Sequence, residues 1–293
     1  MTPGSDATPY LMRLDAEELA AVVPPVLVRA ERLAKSVLLG AHGRRQTGAG
    51  DTFWQFRPAT PTDEARRIDW RKSARGDQAF VQEKEWQVAR NAVIWVDQSQ
   101  SMQFSSLARS KADRAEVLGL ALAILLLRAG ERAGLAGPKP VPPARGAAQA
   151  GRIAQALDFT VNDDYGVPPE IELDAGAIVL VSDFLGDLHR IEAALGKLAD
   201  RGQRVVTLQA IDPQESHFPF DGRTVFESMT GALRYEVDQA SALRERYLAR
   251  LEARQAWLRD FARARGWAFG RHVTDHFPTN ALLWLRNAVE GQA

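Results

Sequence analysis

The chain of 293 residues contains no cysteine. Disulfides, thiolate nucleophiles and cysteine-type zinc sites are therefore excluded, which suits a reducing compartment without requiring one. An excess of either charge is missing as well: 37 Lys and Arg balance 37 Asp and Glu. General binders of nucleic acid or anionic membranes usually carry a positive surplus, so no nucleic-acid partner is expected. Long apolar runs are absent too. The longest, Val117 to Leu127, falls short of the ~20 residues that span a bilayer, and Met1 to Tyr10 is small and polar, unlike a secretory leader. The expectation is a soluble, cytoplasmic protein with no membrane span. There is also no Gly-x-Ser-x-Gly elbow, Walker loop or strand-borne Gly-x-Gly-x-x-Gly. What is present is a composition 45% hydrophobic, ample for a sizeable core.

Three textures follow one another along the chain. From Asp15 to about Leu39 the pattern is helical, broken at Pro24-Pro25, where the second stretch should start. Gly40 to Gly50 reads as a Gly- and Arg-rich loop. Phe53 to Val96 is rich in aromatic and β-branched residues separated by turn residues, which predicts exposed hairpins before a short apolar strand, Ala92 to Val96. Strands and helices then alternate. Ser110 should cap a helix running to about Glu131, with Asp113 as its acidic capping-box partner. A weak strand at Ala133 to Ala136, a Pro-rich crossing to Ala144 and a helix over Gly146 to Leu157 come next. Further strands are expected at Ala177 to Ser182, Arg204 to Ile211 and Trp267 to Val273, and a hairpin around Thr224 to Val237. Helices are expected at Leu188 to Asp200, Ala240 to Arg265 and Thr279 to Val289. This alternation predicts an α/β fold with a doubly wound, mainly parallel sheet over residues 91–293, preceded by a helical and β-hairpin region over residues 1–90.

In such a sheet the functional crevice lies at the carboxyl ends of the strands. Asp97-Gln-Ser99-Gln-Ser101-Met102 leaves the first core strand there, and Ser182-Asp183-Phe184 leaves a neighbouring one. One acid and two hydroxyls at alternating loop positions can converge on a point, and hard divalent cations favour such oxygen ligands. The plainer reading is a helix cap and a tight turn.

These residues resemble the metal-ion-dependent adhesion site of von Willebrand factor A (vWA) domains. The resemblance implies that Ser99 and Ser101 bind Mg²⁺ directly, or Mn²⁺ or Ca²⁺ in its place, with Asp97 and Asp183 acting mostly through water. That family also supplies a threonine from an intervening loop; the corresponding stretch, Pro142 to Gly146, offers Arg145 instead. A longer signature resembles the bacterial family called domain of unknown function 58. It comprises Gly40-x-His42, Gly48-x-Gly50 with Phe53, Phe56-Arg-Pro58, Arg67-Ile-Asp69-Trp70-Arg71-Lys-Ser-Ala-Arg75, Phe80 to Glu83, Pro142-Pro143 with Arg145-Gly146, Ser182 to Phe184 and Ile211 to Pro213. Members often accompany MoxR-type AAA+ ATPases, which implies a role in assembling or activating other proteins and no catalytic activity.

On the residues alone, Asp69 can pair with a neighbouring arginine in the hairpins, or Arg66, Arg67, Arg71 and Arg75 can form a partner-docking face with Asp69, Trp70 and Arg145. His272 and His276 are spaced like a helical zinc pair, but they follow a strand, and a surface or cap role is expected. Arg246, Arg250 and Glu252 belong to a solvated helix face. The favoured reading is a metal-assisted adaptor for a MoxR-type AAA+ ATPase or its client. The alternative is a metal-dependent phosphoryl hydrolase or nuclease using Asp97, Asp183 and Asp187.

Overall fold

The computed structural model describes residues 24–41, 53–58, 73, 79–84, 91–159, 161–171, 176–231 and 234–291. Helix α1 (Pro25–Ala41) starts at the second proline, whose missing N–H costs nothing in a first turn. The chain divides into two compact units, Ala41–Ala89 and the remainder. Within the smaller unit, strands β1 (Phe53–Pro58) and β2 (Phe80–Lys84) pair antiparallel, with Arg57 opposite Val81 and an irregularity between Phe53 and Gln55. The Phe80 N–H donates to Ser73 Oγ at 2.9 Å.

The larger unit is built on a six-stranded sheet. Its strands are β3 (Asn91–Val96), β4 (Arg132–Ala136), β5 (Val141–Ala144), β6 (Ala177–Ser182), β7 (Val205–Ile211) and β10 (Ala268–Val273). Strands β8 (Thr224–Glu227) and β9 (Arg234–Val237) form a separate hairpin. The sheet order is β10-β7-β6-β3-β4-β5. Every pairing is parallel except that of β4 with β5. The doubly wound, mainly parallel sheet expected from the alternation is therefore present. The Pro-rich crossing differs from expectation, because Val141 to Ala144 forms an edge strand. Pro142 and Pro143 are tolerated there because an edge has a side without a ladder to complete.

Alternating side chains divide the strands between two cores. Ala92, Ile94 and Val96 of β3 face one core and Val93 and Trp95 the other. On the first face pack α1, α2 (Lys111–Arg128), α3 (Ala147–Ala156) and α7 (Pro278–Glu290). On the second lie α4 (Leu188–Asp200) and α6 (Ser241–Arg263), through Ile191, Leu195, Leu198, Leu258 and Ala262. A short helix, α5 (Pro213–His217), follows β7.

Helix α2 is buried on nearly all sides from Val117 to Leu126. Gly119 lets it lie close to the sheet: a Cβ there would come 2.9 Å from Val96 Cγ2. Ser110 caps this helix through its Oγ, which accepts from the Asp113 N–H at 3.2 Å. The Asp113 carboxylate does not return to the cap; it pairs with Arg29 of α1. This ion pair, with Val26, Ala30, Leu33, Ala34 and Val37 in the first core, places α1 in the α/β unit. By its contacts Met1–Gly40 groups with Arg90–Ala293, whereas the sequence reading draws its one boundary at residue 90. His272 also departs from expectation. It is buried in β10 with Nε2 lacking a hydrogen-bond partner, while His276 is exposed and the two rings are 6.5 Å apart. Among the described residues no helix is long and apolar enough to cross a membrane.

Candidate functional site

Strand order reverses at β3, which lies between β6 and β4, so loops leaving β3 and β6 open the crevice described for such sheets. Asp97 and Asp183 stand there, as the sequence predicts. The Asp97 N–H still bonds to the Val181 carbonyl at 2.9 Å, so Asp97 is the last residue held by the ladder. Ser99 then begins a turn of 3₁₀ helix over Gln100–Gln103. Its geometry brings the Ser99 and Ser101 hydroxyl oxygens to 3.3 Å.

Asp97 is almost fully enclosed. One carboxylate oxygen accepts the Ser182 hydroxyl at 2.6 Å, and the other accepts the Ser99 N–H at 2.9 Å. Burial raises its pKa, the Asp183 charge raises it further, and these hydrogen bonds resist the shift. Asp183 is occupied on both oxygens. Oδ1 takes the Leu185 N–H at 3.0 Å, and Oδ2 takes Lys111 Nζ at 2.9 Å. The backbone beside it is strained: Phe184 has φ of 51°, a left-handed conformation uncommon outside glycine. It is held by the Ser182 hydroxyl on its N–H and by Arg254 on its carbonyl.

Lys111, the first residue of α2, was not read as part of the site from sequence. Its side chain is fully buried and also donates to Glu215 Oε1 at 2.6 Å. Burial alone would lower its pKa, but Asp183 and Glu215 outweigh that and raise it, so it is a permanent cation. Glu215 belongs to α5, where it and Asp212 form a capping box: Glu215 Oε2 accepts the Asp212 N–H at 2.9 Å. Asp212, at the end of β7, in turn accepts the Ser106 N–H at 2.8 Å and hydroxyl at 2.5 Å. Two signals marked these residues: an Asp-Pro-x-Glu run after an apolar strand, and a lysine opening a helix with little polar surface.

The segment 161–166 covers the loop. Gln98 O accepts the Val161 N–H, Asp163 O accepts the Gln100 N–H and Asp164 O accepts the Ser101 N–H, at 3.0, 2.9 and 2.8 Å. Gly166 packs onto Asp97 so closely that a Cβ would fall 2.1 Å from Oδ1. Beside it lies a cleft of about 350 Å³, walled by Trp95, Pro138, Phe159, Val161 and Val167 with Asp97 in its lining. The stretch corresponding to the threonine-bearing loop of vWA domains, Pro142 to Gly146, is not what covers the loop. Arg145 is exposed at the end of β5, and no ion pair or hydrogen bond described ties it to the four site residues. Arg66, Arg67, Asp69, Trp70, Arg71 and Arg75 lie outside the described residues. Asp187 caps α4, its Oδ1 accepting the Arg190 N–H at 2.9 Å.

Among the described residues no three His, Cys, Asp or Glu side chains converge as a metal cage. An ion would depend on the hydroxyls, and the donor chemistry suits one. The donors of the loop are all oxygen. Around them Asp97 and Asp183 are buried and Glu215 is partly buried, and Lys111 is the one cation ion-paired to any of them among the described residues.

Uncharacterized protein Rv1480 of Mycobacterium tuberculosis (strain ATCC 25618 / H37Rv) is 25% identical over 267 residues, covering 85% of this chain and 83% of that one. Uncharacterized protein Mb1516 of Mycobacterium bovis matches with the same figures. Among solved structures, the conserved hypothetical protein BatB from Bacteroides thetaiotaomicron covers 70% of this chain and 98% of its own, at 13% identity and a TM-score of 0.42. An aerotolerance-related membrane protein from Bacteroides fragilis covers 69% and 99%, at 14% identity and a TM-score of 0.40. The model of the family described as Protein of unknown function DUF58 matches residues 55–257, well over half of the sequence, and the chain belongs to that family.

Proposed function

We propose that this chain is a protein-interaction module that binds its partner at the strand-end face around Asp97, with a divalent cation, Mg²⁺ in the cell, as part of the contact. Ser99 and Ser101 would hold the ion through their hydroxyls, and Asp97 and Asp183 would support it mostly through water. The ion supplies an open position for a hard oxygen ligand, which an acidic side chain of the partner would fill. The observation that carries this reading is the pair of buried hydroxyl oxygens 3.3 Å apart beside a buried carboxylate whose charge no described cation neutralises directly. The family resemblance supports a MoxR-type AAA+ ATPase, or its client, as the partner, and a part in assembling or activating other proteins. No observation favours the hydrolase or nuclease reading.

The test uses the full chain and the purified MoxR-type ATPase of the same organism, with binding measured by biolayer interferometry in Mg²⁺ and in EDTA. Binding by wild type in Mg²⁺, lost in EDTA and in Asp97→Ala, is expected. Equal binding in all three conditions would remove the ion from the contact. No binding of the ATPase or of its client proteins would sink the adaptor reading.

A further inference from the structure

We infer that Lys111 is a built-in cation of the metal loop, which takes the Asp183 half of the site and holds divalent-ion affinity at Asp97 low. The inference rests on the metal reading above and concerns how the chain's own residues set it. An acidic residue that supports an ion through water contributes its negative charge as well as its lone pairs, and a cation already paired with it cancels that charge. Asp183, unlike Asp97, is already neutralised: Oδ1 accepts a backbone N–H, and Oδ2 is ion-paired with Lys111 Nζ at 2.9 Å. Lys111 cannot easily turn away. Its side chain is fully buried, and Glu215, its second anchor, is fixed through Oε2 to the Asp212 backbone. Asp212 is fixed in turn by Ser106.

The ammonium therefore does at Asp183 what a second metal charge would do, permanently and without exchange. Its charge also reaches the ion. Two like charges that share the partly buried neighbourhood of Asp183 repel even at an effective dielectric constant near 20. Removing that charge should restore the uncancelled negative charge of Asp183 and lift the repulsion at once, so ion affinity should rise. A lysine that merely glued β6 to α5 would behave differently: its loss would cost stability and leave ion affinity unchanged or reduced.

Mn²⁺, read by electron paramagnetic resonance, is the probe, titrated into wild type, Lys111→Gln, Lys111→Arg and the double variant Lys111→Gln/Glu215→Gln. Each is also made with Asp97→Ala, and near-ultraviolet circular dichroism reports whether each is folded. The double variant replaces the ion pair by two amides that can bond to each other, and keeps the test decisive if the single variant does not fold. Lys111→Gln, or the double variant in its place, is expected to bind Mn²⁺ about tenfold tighter than wild type or better. Lys111→Arg should stay near wild type, and Asp97→Ala should abolish binding in every background. Wild-type or weaker affinity in a folded neutral variant would overturn the inference while leaving the metal reading intact. No Asp97-dependent binding in wild type or in any neutral variant would overturn the metal reading, and this inference with it.

Discussion

Replacing Gly166 with alanine tests how tightly residues 161–166 close over Asp97. The new Cβ would lie 2.1 Å from Oδ1, 2.3 Å from Cγ and 2.5 Å from Oδ2 of Asp97, so something must move. Asp97 cannot retreat without stretching its bonds to the Ser182 hydroxyl at 2.6 Å and the Ser99 N–H at 2.9 Å. The covering segment should give way instead, straining the bonds from Gln100 N–H to Asp163 O and from Ser101 N–H to Asp164 O. Overpacking costs about 1–3 kcal/mol, and each backbone bond lost costs about 0.5–1.5 kcal/mol net. Partial relaxation puts the total near 2–4 kcal/mol. Gly151→Ala is the control, since nothing lies within 4 Å of a Cβ in that helix and the change should be neutral or stabilising by up to about 1 kcal/mol. Urea unfolding followed by tryptophan fluorescence reads both, with Trp95 on the strand that ends at the site. A Gly166→Ala midpoint indistinguishable from wild type, at equal slope, would show that the segment does not press on Asp97 and that the closure described here is wrong.

Two titrating groups outside the loop give predictions of opposite sign. Burial raises the Glu116 pKa to about 7, against a bond from the Gln98 amide at 3.3 Å. The folded chain thus holds a proton that the unfolded chain releases near the ordinary glutamate value. The stability this supplies is complete below about 4.5 and lost as pH rises through about 7. Glu116→Gln should therefore be more stable than wild type at pH 8, by roughly 1–3 kcal/mol, with the difference shrinking towards pH 5; equal urea midpoints at both pH values would refute this. His272 runs the other way. Burial, then the charges of Arg114 and His276, lower its pKa to about 4. Its contribution is present above about 6.5 and lost as pH falls towards 4, so His272→Leu should flatten the acid limb of the stability profile. An acid limb unchanged in His272→Leu would assign that loss to other groups.

The α/β part of the fold was legible because its core strands are continuous apolar runs that alternate with regular, partly capped helices. Ala92 to Val96 and Ala177 to Ser182 could hardly be anything but buried strands, and acids following them had to lie at strand ends. Strand β5 was not legible, because Val-Pro-Pro-Ala has the composition of a loop and becomes a strand only by pairing with β4. What α1 packs against was not legible either: an amphipathic stripe says that a helix is buried without saying against what. At the site, the sequence offered the acid and hydroxyls of one loop and the acid of another. Lys111 carried only a weak signal, since a lysine in a first helical turn usually reaches solvent even where the helix has little polar surface. Segment 161–166 was equally hidden, because it bonds to the loop mainly through backbone N–H and C=O groups, which carry no sequence signal.

These hidden elements bear on the choice between an interaction module and a hydrolase. A phosphoryl hydrolase of the kind considered would need Asp183 and Asp187 as free carboxylates near a nucleophilic water. Asp187 is spent on the N-terminus of α4, and Asp183 on Lys111 and the Leu185 N–H. Recruiting either would break a helix cap or leave a buried ammonium with Glu215 alone, and breaking a buried charge pair costs about 3–5 kcal/mol. An adaptor asks less of the same residues. Asp97, Ser99 and Ser101 can stay where they are, Lys111 can stay paired, and the partner supplies the missing ligand. These occupied carboxylates are compatible with the proposed ion-assisted contact, and the Mn²⁺ affinity of the Lys111 variants measures how far Lys111 weakens it.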